Sequence, residues 1–261
     1  MLKFLNRTRS FHKVTDRQLR NTDKILVSVP VEQTVSHLTC FQPGNNVFAN
    51  ALITYETQGE DSAFDLLRKY YSTVVYRTVA DIWGSTDPSF ERVPAMGVVM
   101  PWFREGFESK LHRICVNPES SRPLSKESAD YGLHPPEEFG WQFFGPVSEG
   151  VLKLEWSRLL SVYLSIRDKG YAPSKHGHMH GYVLASQSGR VVVVMGGKHR
   201  YSALVALGVK TFPILLKAKA CDLYVHENQL SHWPQVANGV YSCKTARAIF
   251  EQQMSGIHED F

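Results

Sequence analysis

Arg190-Val191-Val192-Val193-Val194-Met195-Gly196-Gly197-Lys198-His199-Arg200 joins two kinds of sequence at a pair of glycines. The β-branched run Val191 to Val194 suits a strand buried on both faces. After the glycines, Ala203, Leu204 and Leu207 share one face of a short helix from about His199 to Leu207, and Gly208 ends it. Thr211 to Leu216 returns as a strand, while Gly181 to Ala185 precedes the valine run across a turn at Gln187-Ser188-Gly189. The spacing predicts a strand–Gly-Gly–helix–strand unit.

Such a junction has chemical consequences. The first N–H groups of a helix have no intrahelical acceptor, and with the positive end of the helix dipole they favour an anion. Glycine lets the chain turn tightly and lets an anion approach the backbone. Lys198, His199 and Arg200 bring up to three cationic side chains to the same turn. Gly196, Gly197, Lys198, His199 and Arg200 are therefore the candidate phosphate site. Neither GxxxxGK[ST] nor GxGxxG is present, so this is neither a Walker A loop nor a dinucleotide fingerprint.

Moving upstream, Trp156, Leu159, Leu160, Tyr163 and Ile166 recur at helical spacing, and Gly170 follows as a stop. The stretch Ile114 to Pro136 is rich in Asn, Pro, Ser and charge and reads as a linker or long surface loop. Before it, Asp61 to Trp83 carries apolar residues at helical spacing up to Gly84, and Ile25, Val27, Val29 and Val31 alternate as a short strand that Pro30 pushes toward an edge. Residues 1–24 read as a polar, basic arm or peripheral helix. The expected fold class is mixed α/β, in three parts: a mainly helical section over 1–136, the informative domain over 137–220, and a helical C-terminal extension over 221–261.

Composition narrows the class. The 261 residues are 43% hydrophobic and 21% charged, ordinary for a globular chain. The formal net charge of +4 is compatible with a phosphate-bearing ligand but weak for nucleic acid. Cys40, Cys115, Cys221 and Cys243 form no CxxC pair, which removes the spacing of a zinc ribbon or dithiol site. The start has no apolar segment like that of a signal peptide, and the aliphatic run Val191 to Met195 is too short to span a bilayer. A soluble cytoplasmic protein without membrane insertion is expected.

Leu164-Ser165-Ile166-Arg167-Asp168-Lys169-Gly170 resembles the first box of ParB-like domains. Gly197-Lys198-His199-Arg200, followed by Leu207-Gly208 and Pro213-Ile214, resembles their second box, and Met195 to Tyr201 is similar to the Gly-Gly-Cys-His-Arg-Tyr signature of sulfiredoxin. The resemblance covers Glu149 to Lys217. It implies a ParB/sulfiredoxin-like domain whose glycine turn, His199 and Arg200 hold the phosphates of a nucleotide. Activities within the superfamily include sulfinic-acid repair, CTP-dependent DNA clamps and free-serine kinases, so the fold does not choose the reaction. Lys198 stands where sulfiredoxin has its cysteine, and the stretch after Lys217 is short for the DNA-binding and dimerisation regions of a partition protein. Gly-His-Arg is closer to the small-molecule kinase branch. Gly145-Pro146-Val147-Ser148 and Gly177-His178-Met179-His180-Gly181 also resemble uncharacterised ParB-like proteins linked to surface-polysaccharide gene clusters.

The resemblance implies an ATP- or ADP-dependent kinase, with Mg²⁺, phosphorylating a small hydroxyl compound such as a sugar or amino-acid derivative. Gly196, Gly197, His199 and Arg200 would hold phosphates, and Lys198 would neutralise the transferring group. Glu149 or Glu155 would orient the acceptor hydroxyl, although both also simply favour a helix N-terminus. Asp168 is a candidate for substrate contact or a solvated helix-end residue. His176, His178 and His180 would share one face of an extended strand, as metal ligands or, for His178, as a phosphate or base contact. His226-Glu227 lacks the second histidine of a zinc-protease motif. Two rival functions stay open: a nucleotide-controlled binding protein with no small-molecule transfer, and a nucleic-acid-processing ParB-like protein.

Overall fold

A computed structural model describes residues 8–39, 41–116 and 143–256, with backbone alone for 113–116. The protein is mixed α/β. Its strands are β1 (Arg9–Ser10), β2 (Lys24–Pro30), β3 (Thr34–Ser36), β4 (Met179–Ser186), β5 (Gly189–Gly196), β6 (Thr211–Lys217) and β7 (Tyr224–His226). Its α-helices are α1 (Asp16–Arg20), α2 (Val47–Gln58), α3 (Glu60–Thr73), α4 (Val79–Trp83), α5 (Pro88–Glu91), α6 (Phe107–Val116), α7 (Glu149–Lys169), α8 (Pro173–His176), α9 (Lys198–Ala206), α10 (Pro234–Ala237) and α11 (Cys243–Ser255).

The strands form one mixed sheet in the order β1-β2-β6-β4-β5-β3, with β7 paired to β4. β4 and β5 make the antiparallel hairpin expected around Gln187 and Ser188. β6 runs parallel to β4 over Met179–Gly181, and β7 runs parallel to it over Val183–Ala185. Gly181 sits at an irregularity in the β4–β5 pairing, where the register shifts between His180 and Gly181. A Cβ there would lie 2.1 Å from the Val193 carbonyl oxygen, so the strands approach closely only because the residue is glycine.

Period-two alternation sends the valine run to both faces. Val193 joins Val35, Tyr182 and Leu184 in one core, which is completed by residues of α2, α3 and α7. Val192 and Val194 join Val27, Val29 and Val183 in another, beneath Phe11 and Leu19. Helix α9 serves both, with Ala203 in the first and Tyr201 and Leu204 in the second. It also packs on α7 and α2, which fixes the glycine turn against buried helix surface.

Several sequence expectations need correction. The section before 136 is helical but also supplies β1, β2 and β3, so the sheet crosses the expected boundary. Strand β2 is not at the edge. Its whole length pairs with β6, and β1 covers Val27 and Ser28 on the other side. The helix expected from Asp61 to Trp83 is two helices. Gly145 N–H donates to the Val74 carbonyl and Tyr76 N–H donates to the Gly145 carbonyl, and this pairing interrupts the helical ladder. A capping box of Thr78 and Asp81 then starts α4, and Gly84 ends it in the left-handed region. The C-terminal extension includes the strand β7 as well as helices. The linker expected over 114–136 lies outside the described residues after Val116.

Candidate functional site

Gly197 is the N-cap of α9, with φ of +96° and ψ of 37°. This left-handed conformation favours glycine, and a Cβ would also lie 2.8 Å from Met179 Cγ. At Gly196 a Cβ would meet the His180 ring, 2.0 Å from Cε1. His180 on β4 therefore forms one wall of the turn. Burial, then Lys217, Lys219 and Arg200, hold its pKa down at about 4, so the ring is neutral near pH 7.

The three basic residues do not all face outward. Lys198 Nζ donates to Glu155 Oε2 at 2.9 Å, and His199 Nε2 lies 2.9 Å from the same oxygen. Glu155 comes from the interior of α7 and is 2% exposed. The Lys198 ammonium sits over the Phe48 and Phe143 rings, at 4.5 and 5.1 Å. Burial alone would raise the Glu155 pKa, but Lys198 and His199 outweigh it and hold the carboxyl at about 2. Burial pulls His199 below its ordinary value against the pull of Glu155. Because a carboxylate oxygen accepts, His199 Nε2 is the donor in this contact. Glu155 Oε1 is buried without a hydrogen bond, with Arg158 Nη1 3.9 Å away.

Arg200 faces the other way. Its Nη1 donates to the Gly177 carbonyl at 2.5 Å, tying α9 to the loop before β4. Its guanidinium also lies close to where a Gly197 side chain would stand. Asn46, fully buried at the N-cap of α2, shares hydrogen bonds with Ser202 of α9 and holds the helix from the second side.

The expected residues therefore divide. Lys198 and His199 come together on Glu155, while Arg200 lies beside Gly197 on the side of the turn that faces the Gly177 carbonyl. Glu149 does not join them: it is exposed in the first turn of α7 and bonds Arg68 at 3.0 Å. Asp168 is exposed, bonded to Arg167 at 3.0 Å, and stands about 20 Å along α7 from Glu155 at 1.5 Å per residue. His178 is half-buried on the loop before β4. The three alternating histidines share no face, because His176 lies in α8 and only His180 is on a strand. Among the described residues there is no group of three or more His, Cys, Asp or Glu arranged to hold a metal.

Sequence reasoning missed the wall formed by His180 and the aromatic floor formed by Phe48 and Phe143. The signal for His180 was Gly181 beside it, a glycine within a strand that marks close approach. No helix among the described residues is long and apolar enough to cross a membrane. No family model, curated protein or solved structure matches this chain.

Proposed function

We propose that the protein binds a nucleoside phosphate at the Gly196-Gly197 turn and acts as an ATP- or ADP-dependent kinase on a small hydroxyl compound. The observation that carries this reading is the buried Glu155 carboxylate clasped by Lys198 and His199 at the start of α9. A buried ion pair contributes little net stability compared with apolar packing, and an orphaned carboxylate oxygen costs more. Strongly perturbed groups beside an anion-attracting helix end are the arrangement a reaction centre uses.

In this reading the positive end of the α9 dipole at Gly197 and the Arg200 guanidinium receive phosphate oxygens. Lys198 turns from Glu155 to the transferring phosphoryl group. With that charge drawn away, burial raises the Glu155 pKa, and the carboxylate becomes able to take a proton. The acceptor oxygen then bonds to phosphorus, the bond from phosphorus to the nucleotide's bridging oxygen breaks, and the hydroxyl proton passes to Glu155. The described side chains do not form a cage for Mg²⁺, and no step here is routed through one.

The same clasp also supports the reading as a nucleotide-controlled binding protein, because phosphate competing for Lys198 would loosen the α7–α9 contact without any transfer. Incubation with ATP or ADP labelled in its terminal phosphate, together with a metabolite extract, separates the two. A labelled small molecule is expected. Binding of nucleotide with no transfer to any metabolite would leave the controlled-binding reading instead.

A further inference from the structure

A second charged feature lies on the β1–β2–β6 side of the sheet, toward the edge opposite β3. A hollow of about 1230 Å³ is lined by Arg9, Lys13, Arg17 and Lys24, with Gln18 and Asn21 among its polar residues. Among the described residues no carboxylate lines it. All four cations are exposed, and none makes an ion pair among the described residues. The nearby Asp16 is engaged elsewhere, with Arg190 at 3.0 Å and the Tyr224 hydroxyl at 2.7 Å. Lys24 stands across the β2–β6 ladder from Lys217, a like-charged pair that disfavours the sheet.

The formal net charge of the whole chain is +4, which these four residues alone would supply. A mild overall charge does not preclude a local positive site, and the four cations around this hollow form one. A single phosphate would not engage four cations spread around a hollow this wide. A chain of phosphates would. A hollow of this size seats a few nucleotides of one strand more readily than the full width of a duplex, and among the described residues no aromatic ring lines it, so the contacts fall on phosphates and not on bases.

We infer that this hollow binds the phosphodiester backbone of single-stranded nucleic acid, without sequence preference, and independently of the glycine turn. The inference does not rest on the kinase reading.

The test is fluorescence anisotropy of the full chain with labelled 15-mers of oligo(dT) and oligo(U) across a salt series. Four phosphate contacts predict a slope of log K against log salt of about −2.8, at about −0.7 per contact on a single strand. Affinity should then fall about fifty-fold from 50 to 200 mM salt. Each of Arg9→Gln, Lys13→Gln, Arg17→Gln and Lys24→Gln should reduce the slope by about 0.7, while Arg9→Lys with Arg17→Lys should preserve it. Circular dichroism checks that these surface variants fold. No binding at 50 mM salt would overturn the inference. So would slopes unchanged in the glutamine variants, tighter binding to duplex or to phosphatidylserine vesicles, or loss of oligonucleotide binding in Arg200→Ala.

Discussion

The Lys198 ammonium lies 2.9 Å from the Glu155 carboxylate and joins the first residue of α9 to the interior of α7. Because Glu155 is 2% exposed, its charge has little water to turn to, and Lys198 and His199 replace the lost solvation.

Removing one member of this pair should cost more than removing both. Glu155→Gln leaves the Lys198 charge facing a neutral amide and is expected to lower unfolding free energy by about 3 kcal/mol in urea titrations. Glu155→Gln combined with Lys198→Met should recover much of that loss. Glu149→Gln, at an exposed pair with Arg68, should leave stability, nucleotide affinity and turnover near wild type. A double variant no more stable than Glu155→Gln would argue against the buried pair.

Acid should destabilise the protein in two stages. Burial holds His37 at about 3 and His180 at about 4, both below the ordinary 6.5. The unfolded chain therefore takes up protons first, and stability falls as pH drops below about 6.5. Each histidine contributes a slope of about 1.4 kcal/mol per pH unit until its folded value is reached. Glu155 acts lower down: its contribution is full above 4.5 and is lost as pH falls through about 2. Melting curves from pH 7 to pH 3 should show the first decline. His37→Phe, which keeps the stack on Phe103, should flatten it. An unchanged slope in that variant would remove His37 from the account.

The glycine turn should tolerate alanine at neither position, for different reasons. Gly197→Ala meets both the +96° φ and Met179, so its loss of stability should persist in any background. At Gly196 the three atoms nearest an added Cβ all belong to the His180 ring, so His180→Ala should relieve Gly196→Ala. Thermal melts of the single and double variants check this, and failure of the double variant to recover would contradict the described packing.

No cysteine stands in the turn from Gly196 to Arg200, so it offers no thiol to attack a sulfinic acid. The protein is expected to leave a peroxiredoxin sulfinic acid unreduced in the presence of ATP. Mass spectrometry of the peroxiredoxin would detect any repair.

Features written in local sequence were legible. The valine run announced a strand with two buried faces, and Gly170, Gly208 and Gly84 marked helix ends through their backbone freedom. Features made by distant pairing were not. Nothing near Val74 shows that Gly145 will take its backbone hydrogen bond and split the helix there. Glu155 could be named as a candidate, but its partner His199 lies 44 residues away, so neither its burial nor this pairing could be read from spacing. The alternating histidines misled because Pro173 opens a helical turn through His176, which removes the period of two that their shared face required.

The most direct test of the account is calorimetric titration of ATP and ADP into the wild type and into Arg200→Ala. The wild type should bind at least one of the two nucleotides, and the variant should lose about 1.5–3 kcal/mol, the scale of a charge-assisted hydrogen bond. Circular dichroism would confirm that the variant remains folded after losing its bond to the Gly177 carbonyl. A folded variant that binds as tightly as wild type, or a wild type that binds neither nucleotide, would contradict the assignment of this turn as the phosphate site.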